Sequence, residues 1–201
     1  MGYANLNSPK IDLAEHGFHF QGGVNIFRWS TVGFDYSRSS GDLLLTSSMA
    51  LPSVQQKLAT MLGALAAAGR LPAGYTVAIP TSSITQTFAG GPQLIIRHWK
   101  PVTVFIRPSI GAIYEEATPH PGDAIAVGIV NQLAPSGRKT DLVPFYGIGG
   151  GFDLNVSRHF ALRVQADYVH DYLFDDLLAA GRNTVRFSIG PAFRFGRNIA
   201  K

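Results

Sequence analysis

The 201-residue chain contains no cysteine, which excludes disulfide bonds and thiolate metal sites. It has no apolar run near the roughly 20 residues that a membrane-spanning helix needs. A barrel strand crosses with about 9 to 11 residues and hides its apolarity in alternation, so a barrel stays open. Charge is sparse and scattered. The 17 Lys and Arg against 13 Asp and Glu give +4, without the basic stripe that nucleic-acid binding requires. No secretory leader is visible at Met1-Gly2-Tyr3, and the chain reads as a mature or trimmed form. Glycine is abundant at 22 residues, and with 11% aromatics it leans the chain toward one β-rich domain over residues 1–201.

The main signal is a polarity alternation of period two. From Phe160 the even positions read Phe160, Leu162, Val164, Ala166, Tyr168, while the odd ones read Ala161, Arg163, Gln165, Asp167. Alternate side chains of a strand point to opposite faces, so one face is apolar and the other carries charge. The pattern predicts strands over Phe18 to Arg28, Val32 to Arg38, Thr87 to His98, Val102 to Glu115, Val143 to Val156, Phe160 to Val169 and Thr184 to Phe195. Gly2 to Asn7 is a shorter eighth candidate, and closed single-chain barrels have an even strand number.

Parity selects three-residue turns at Trp29-Ser30-Thr31, Trp99-Lys100-Pro101 and Ser157-Arg158-His159. The other links, Ser8 to Gly17, Ser39 to Gln86, Glu116 to Leu142 and His170 to Asn183, are long. Alternating short and long links predict an eight-stranded antiparallel up-and-down transmembrane β-barrel, all-β, with short helices in its long extracellular loops and both termini periplasmic. Tyr36, Tyr114, Tyr146 and Tyr168 on the apolar face near the long loops, with Trp29 and Trp99 in the short turns, would form two aromatic girdles.

Eight strands leave an interior just wide enough for side chains to fill. The inward set contains Asp35, Arg97, Arg107, Glu115, Asp153, Arg163, Asp167, Arg186 and Arg194, with Gln21, Asn25, Gln93 and Gln165. Buried charges persist when paired, so this density of mixed signs predicts an ion-paired plug. The turn at Ser157 to His159 sets Asp153 opposite Arg163. Gly147, Gly149 and Gly151 face the same way and would free volume for arginines opposite. Pro92, Pro108, Pro144 and Pro191 interrupt strands on the outward face, which predicts local bulges.

In the long loops, Ser53 and Gln56 have capping-box spacing ahead of Val54, Leu58, Met61, Leu62 and Leu65 on one helical face, with Gly69 as C-terminal cap. Further helices are expected from Asp123 to Leu133 and from Leu173 to Ala180. Gly147-Ile148-Gly149-Gly150-Gly151 opens no helix and is not a phosphate loop, and His16 and His19 lack further metal-ligand partners nearby, so no cofactor or metal is expected. Catalysis would have its best setting at the outer rim, where His19, Ser37, Ser39 and Asp35 come from adjacent strands and His170, Asp171, Asp175 and Asp176 cluster. Serine and aspartate also serve turns, and no catalytic residue is assigned.

The stretch Gly149-Gly150-Gly151-Phe152-Asp153, then Ser157-Arg158-His159-Phe160-Ala161-Leu162-Arg163 through Asp167-Tyr168, Val185-Arg186-Phe187-Ser188-Ile189-Gly190 and Phe193-Arg194-Phe195, resembles the small OmpA-type, porin-like outer-membrane β-barrel proteins of Gram-negative bacteria. The resemblance covers most of the chain and specifies architecture without an activity. It implies the outer membrane, with lipid and lipopolysaccharide around a monomer, an extracellular ligand or protein at the loops, and Phe193 and Phe195 as a terminal aromatic assembly signal. The expected function is therefore a plugged, non-enzymatic barrel with a structural or surface-binding role. The alternatives are a rim-active lipid hydrolase or acyltransferase, or a narrow channel.

Overall fold

A computed structural model describes residues 1–157, 159–178 and 181–193. Eight strands, β1 (Gly2–Ser8), β2 (Leu13–Phe27), β3 (Ser30–Thr46), β4 (Ala78–Ile96), β5 (Val102–Pro119), β6 (Lys139–Asn155), β7 (Phe160–Asp171) and β8 (Arg182–Phe193), close into one antiparallel barrel in chain order. The all-β up-and-down architecture expected from the alternation is therefore the architecture found. Outward positions such as Val24, Phe34, Phe88, Ile110, Ile148 and Phe187 are exposed apolar side chains, and the inward positions between them are buried.

Two of the short turns match the parity expectation. Leu94 pairs with Ile106 around Trp99-Lys100-Pro101, and Asn155 pairs with Ala161 around Ser157 to His159, although Arg158 lies outside the described residues. The first turn is tighter. β2 runs to Phe27, which pairs with Ser30, and a register irregularity between Asn25 and Phe27 reduces the link to Arg28 and Trp29. Faces are kept, because the offset elsewhere remains even: Gln21 opposes Asp35 and Val24 opposes Val32.

The expected bulges at the prolines are absent from the described ladders, whose only register shift is the one in β2. The register of β4 on β5 sets Pro92 against Pro108, and the ladder between Gly90–Ile110 and Leu94–Ile106 is interrupted without slipping. Two residues without N–H groups on facing strands remove donors from both sides, so the gap needs no extra residue.

At the other end the strands run well past the expected limits. β3 continues to Thr46 and β4 starts at Ala78, so the link Ser39 to Gln86 is mostly strand at its ends, and β1 meets β2 through only a 3-10 turn at Pro9–Ile11. Here small and polar residues take both faces over Ser39 to Asp42 and Thr81 to Ser83, and Leu43, Leu44 and Leu45 beyond them are consecutive, so no alternation marks these ends.

Two helices fill the long loops. α1 (Pro52–Ala67) starts two residues ahead of the expected capping box: Leu51 stands at the cap position in place of Ser53, Pro52 takes the first helical turn, and no side chain caps it. Gly69, at φ +65°, ends it, with Arg70 N–H donating to Leu65 O at 2.9 Å. α2 (Ala124–Leu133) is capped by Asp123, whose carboxylate accepts from Ala126 N–H at 2.8 Å. No third helix forms at Leu173. Asp171 and Asp141 accept the N–H groups of Leu173 and Phe174, Phe174 turns to φ +54°, and Leu178 bridges to Ala50; Ala180 lies outside the described residues. Local carboxylate bonds here outcompete the helix and turn Leu173 and Phe174 into the barrel mouth, against Ile113, Phe145 and Val169.

Candidate functional site in the lumen and over its mouth

Odd residues of β3, β5 and β7 and even residues of β8 point inward, and barrel closure brings side chains far apart in sequence into one ionic layer. Arg186 Nη1 donates to Asp35 Oδ1 at 2.7 Å and Arg186 Nη2 to Asp167 Oδ2 at 2.7 Å. Arg107 bridges the same two carboxylates from β5, Nη1 to Asp35 at 3.2 Å and Nη2 to Asp167 at 3.1 Å. His19 Nε2 lies 2.5 Å from Asp35 Oδ2, and Gln165 Nε2 donates to Asp167 at 2.7 Å. Two arginines and two aspartates, all nearly fully buried, thus form a closed square across the lumen. Bidentate guanidinium geometry and fixed directions let such a group survive away from water.

Gly149 makes this layer possible. A Cβ built there would lie 1.8 Å from Asp167 Oδ1, and at Gly147 and Gly151 it would meet the carbonyl oxygens of Tyr168 and Val164. The space was expected to receive arginines; a carboxylate and the neighbouring backbone take it instead.

Toward the long loops a second layer holds Glu15, Glu115, Asp171 and Arg182, all buried. Arg182 Nη1 sits 2.7 Å from Glu115 Oε2 and its Nε 3.3 Å from Asp171 Oδ1, while Glu15 accepts from Thr85 Oγ1 at 3.0 Å. Of these, only Glu115 was named as an inward charge from sequence. Glu15, Asp171 and Arg182 lie where the outward face has lost its apolar character, and only an extension of the inward parity past the alternating stretches finds them.

Toward the short turns a third layer contains the pair Asp153 and Arg163. Arg163 donates from Nε to Oδ1 at 2.6 Å and from Nη2 to Oδ2 at 2.9 Å, and from Nη1 to Gln21 Oε1 at 2.7 Å. Its guanidinium also lies 4.4 Å over the Phe105 ring. Arg97 stands just past β4 at this end and lines a cavity of about 530 Å³ with them. Arg194 and Phe195 lie outside the described residues.

The aromatic residues sort as follows. Trp29 and Trp99 are exposed at the short turns, Trp29 stacked on Phe27, and exposed Phe193 packs on Phe160. Tyr36, Tyr114, Tyr146 and Tyr168 lie outward on β3, β5, β6 and β7, with Tyr146 and Tyr168 exposed and Tyr36 donating to Gln86 at 3.1 Å.

Of the rim groups considered for catalysis, His19 and Ser37 face each other across β2 and β3 beside Asp35, inside the lumen. His19 and Asp35 are locked in the lumen, and Ser37 accepts from Arg186 at 3.0 Å; no His19 to Ser37 bond occurs among the described residues. Outward His170 bonds Asn183, Asp171 turns inward to Arg182, and Asp176 pairs with Lys139. No group of three His, Asp or Glu suited to a metal ion occurs among the described residues.

Over the mouth, α1 and α2 lay Val54 and Leu58 against Ala126, Ile129 and Val130, joined by Val77 just before β4 and Ile79 at its start. Tyr75 bonds the Asp123 carboxylate with both oxygens at 3.1 Å, tying the loop before β4 to the α2 cap. The N–H of Ala126 is the main influence holding the Asp123 carboxyl below its ordinary range, while burial and then the Asp123 contact push the Tyr75 hydroxyl up.

An apolar exterior, a charged interior and closure of eight strands define the architecture of a small transmembrane β-barrel. No protein-family model matches the sequence, and no curated protein does. Solved structures do match. Ail, the attachment invasion locus protein of Yersinia pestis, crystallised with the heparin analogue sucrose octasulfate, superposes with a TM-score of 0.52 at 13% identity over 96% of this chain and 94% of its own. Neisserial surface protein A superposes with 0.59 at 10% identity over 96% and 92%. At these identities the likeness is one of fold.

Proposed function

We propose that this chain is a single-domain outer-membrane barrel whose lumen is closed by ion pairs and whose capped loop end serves surface binding. The observation that carries it is the closed square of Asp35, Arg107, Asp167 and Arg186 beneath a lid of helices, within a wall that is apolar outside. In this reading both termini face the periplasm, the four tyrosines and two tryptophans mark the two membrane boundaries, and lipid and lipopolysaccharide surround a monomer. Phe193 and Phe195 would act as the assembly signal. The chemistry is non-enzymatic, since His19, Asp35, Ser37, His170, Asp171 and Asp176 of the rim are engaged in structural bonds.

The ligand of the loop end is open. The Ail complex makes a sulfated glycan the first probe, and exposed Lys57, Arg70 and Arg138 supply cationic charge at that end. Folded protein in detergent should shift in gel mobility on boiling and show no discrete conductance steps in a planar bilayer. Retention on immobilised heparin that fails after Lys57, Arg70 and Arg138 are changed to Gln supports glycan binding at the loops. Unchanged retention overturns glycan binding at these residues, and steady conductance overturns the closed lumen.

A further inference from the structure

We propose that the outward face of β2 to β4, at the long-loop end of the wall, is a binding site for a phosphorylated lipid, with Arg38 on the phosphate and the aromatic side chains beneath it along the acyl chains. The inference rests on the reading of the tyrosines as a membrane boundary and is independent of what the loops bind. Arg38 is exposed on the outer side of β3 and is the one outward lysine or arginine among the described strand residues. No ion pair engages it among the described residues. Strand pairing sets it between Phe18 of β2 and Gln86 of β4, with Tyr114 of β5 beyond Gln86, so the guanidinium stands level with the tyrosine belt. One row toward the loops lies exposed His16, opposite Ser40; one row toward the middle of the wall lie Phe20, Tyr36 and Phe88.

The neighbours of Arg38 turn donors toward the same place. The Tyr36 hydroxyl donates to Gln86 Oε1 at 3.1 Å, so the amide N–H groups of Gln86 are the part left for a ligand. His16 Nδ1 accepts from Asn5 Nδ2 at 3.1 Å and from the Tyr3 hydroxyl, which puts the ring proton on Nε2 and makes that edge a donor as well. The carboxylates on this face stand away or are engaged: Asp42 is four residues further along β3, about 13 Å, and Glu116 pairs with Arg138 at 3.5 Å. A guanidinium at lipid depth must meet water or an anion, and its planar fork suits phosphate oxygens. Below it the rings pack pairwise, Phe18 on Tyr36 at 5.9 Å, Tyr36 on Phe88 at 4.9 Å and Phe20 on Phe34 at 5.7 Å between centroids. Head group and chains therefore meet the wall in the order in which a lipid carries them.

The test is an NMR titration of the folded protein in uncharged maltoside micelles with phosphatidic acid, with diacylglycerol of the same chains, and with glycerol 3-phosphate. Phosphatidic acid should shift the backbone amides of Arg38, Ser40 and Gln86 to saturation, at amounts where diacylglycerol, which lacks the phosphate, and glycerol 3-phosphate, which lacks the chains, leave them in place. Arg38→Gln should raise the half-saturating amount about tenfold, the loss of one charge-assisted contact, while Arg28→Gln at the short-turn end leaves it unchanged. The proposal is overturned by an equal response to diacylglycerol or to glycerol 3-phosphate, by undiminished binding in Arg38→Gln, by a matching loss in Arg28→Gln, or by no shift with phosphatidic acid. Broadening of the Phe20, Phe34 and Phe88 amides by a spin-labelled fatty acid separates the causes of a null result. Broadening without shifts refutes this site alone, and the absence of both refutes the lipid-facing wall as well.

Discussion

Above the ionic square, Leu13, Glu15, Thr81, Thr85, Asp171 and Thr184 are essentially inaccessible; below it, the same strands enclose a cavity that glycines and amides line. The difference follows from what stands outside each half. The lower wall must present Val, Ile, Phe and Leu to lipid on its outer face, so its interior carries the polar groups around an open cavity. The upper wall mixes serine and threonine with Leu44 and Leu142 on its outer face. Its interior is sealed by Leu173 and Phe174 turned into the mouth against Ile113, Phe145 and Val169, with Val54, Leu58, Ile129 and Val130 of the loop helices packed on Ile79 at its end. Ionic groups in the sealed half must satisfy one another, whereas those bordering the cavity can share their bonds with water.

Substitutions graded by depth would break or sharpen that contrast. The largest effect is expected at the square itself. Asp35→Ala leaves Arg107 and Arg186 facing Asp167 alone, and should cost about 3 to 5 kcal/mol in denaturant unfolding of the reconstituted barrel; a change as small as that of a surface variant would show that the square contributes no stability. On the outer face, Val164→Arg near the middle of the apolar belt should cost about 2 to 4 kcal/mol, while Ala59→Arg on exposed α1 stays within about 0.5 kcal/mol. Equal tolerance at both positions would remove the lipid-facing assignment.

A smaller loss is expected beside the cavity. In Asp153→Ala, Arg163 keeps Gln21, Phe105 and access to water, so about 1 to 3 kcal/mol should be lost, less than at Asp35. Matching losses at Asp35 and Asp153 would erase the distinction between a dry and a wet half. The smallest effect concerns pH at the lid. Because the folded Asp123 carboxyl sits below its ordinary range, its cap supports α2 above the unfolded value and is lost as pH falls through the lower, folded one. Hydrogen exchange of the α2 amides should therefore quicken in acid, and Asp123→Ala should remove that pH dependence while leaving the strand amides protected.

Seven of the strands are legible wherever lipid stands on one side, since Val164, Ala166 and Tyr168 alternating with Arg163, Gln165 and Asp167 admit no other regular structure. The same parity ties Asp153 to Arg163 across a turn. It fails along Ser39 to Asp42 and Thr81 to Ser83, where serine, threonine and glycine occupy both faces. Glu15, Asp171 and Arg182, at the ends of β2, β7 and β8, are missed because His16, His170 and Asn183 beside them give no apolar outward face. The helix signal is similarly local: Asp123 caps α2 as its sequence indicates, whereas Phe174 takes the Asp141 carboxylate, which only the folded barrel places within reach.

The sequence by itself determined which side of each lipid-facing strand is apolar, the antiparallel order, and two of the turn registers, because these depend on neighbours along the chain and on a period of two. Tertiary structure decided which charges meet. Arg107 reaches Asp35 across 72 positions of sequence, and Arg186 reaches it across 151, through strand tilt and closure that no local pattern encodes. It also decided where the interior is filled and where it is hollow, since that depends on glycine walls from several strands converging at one height and on loop helices folding back over the mouth.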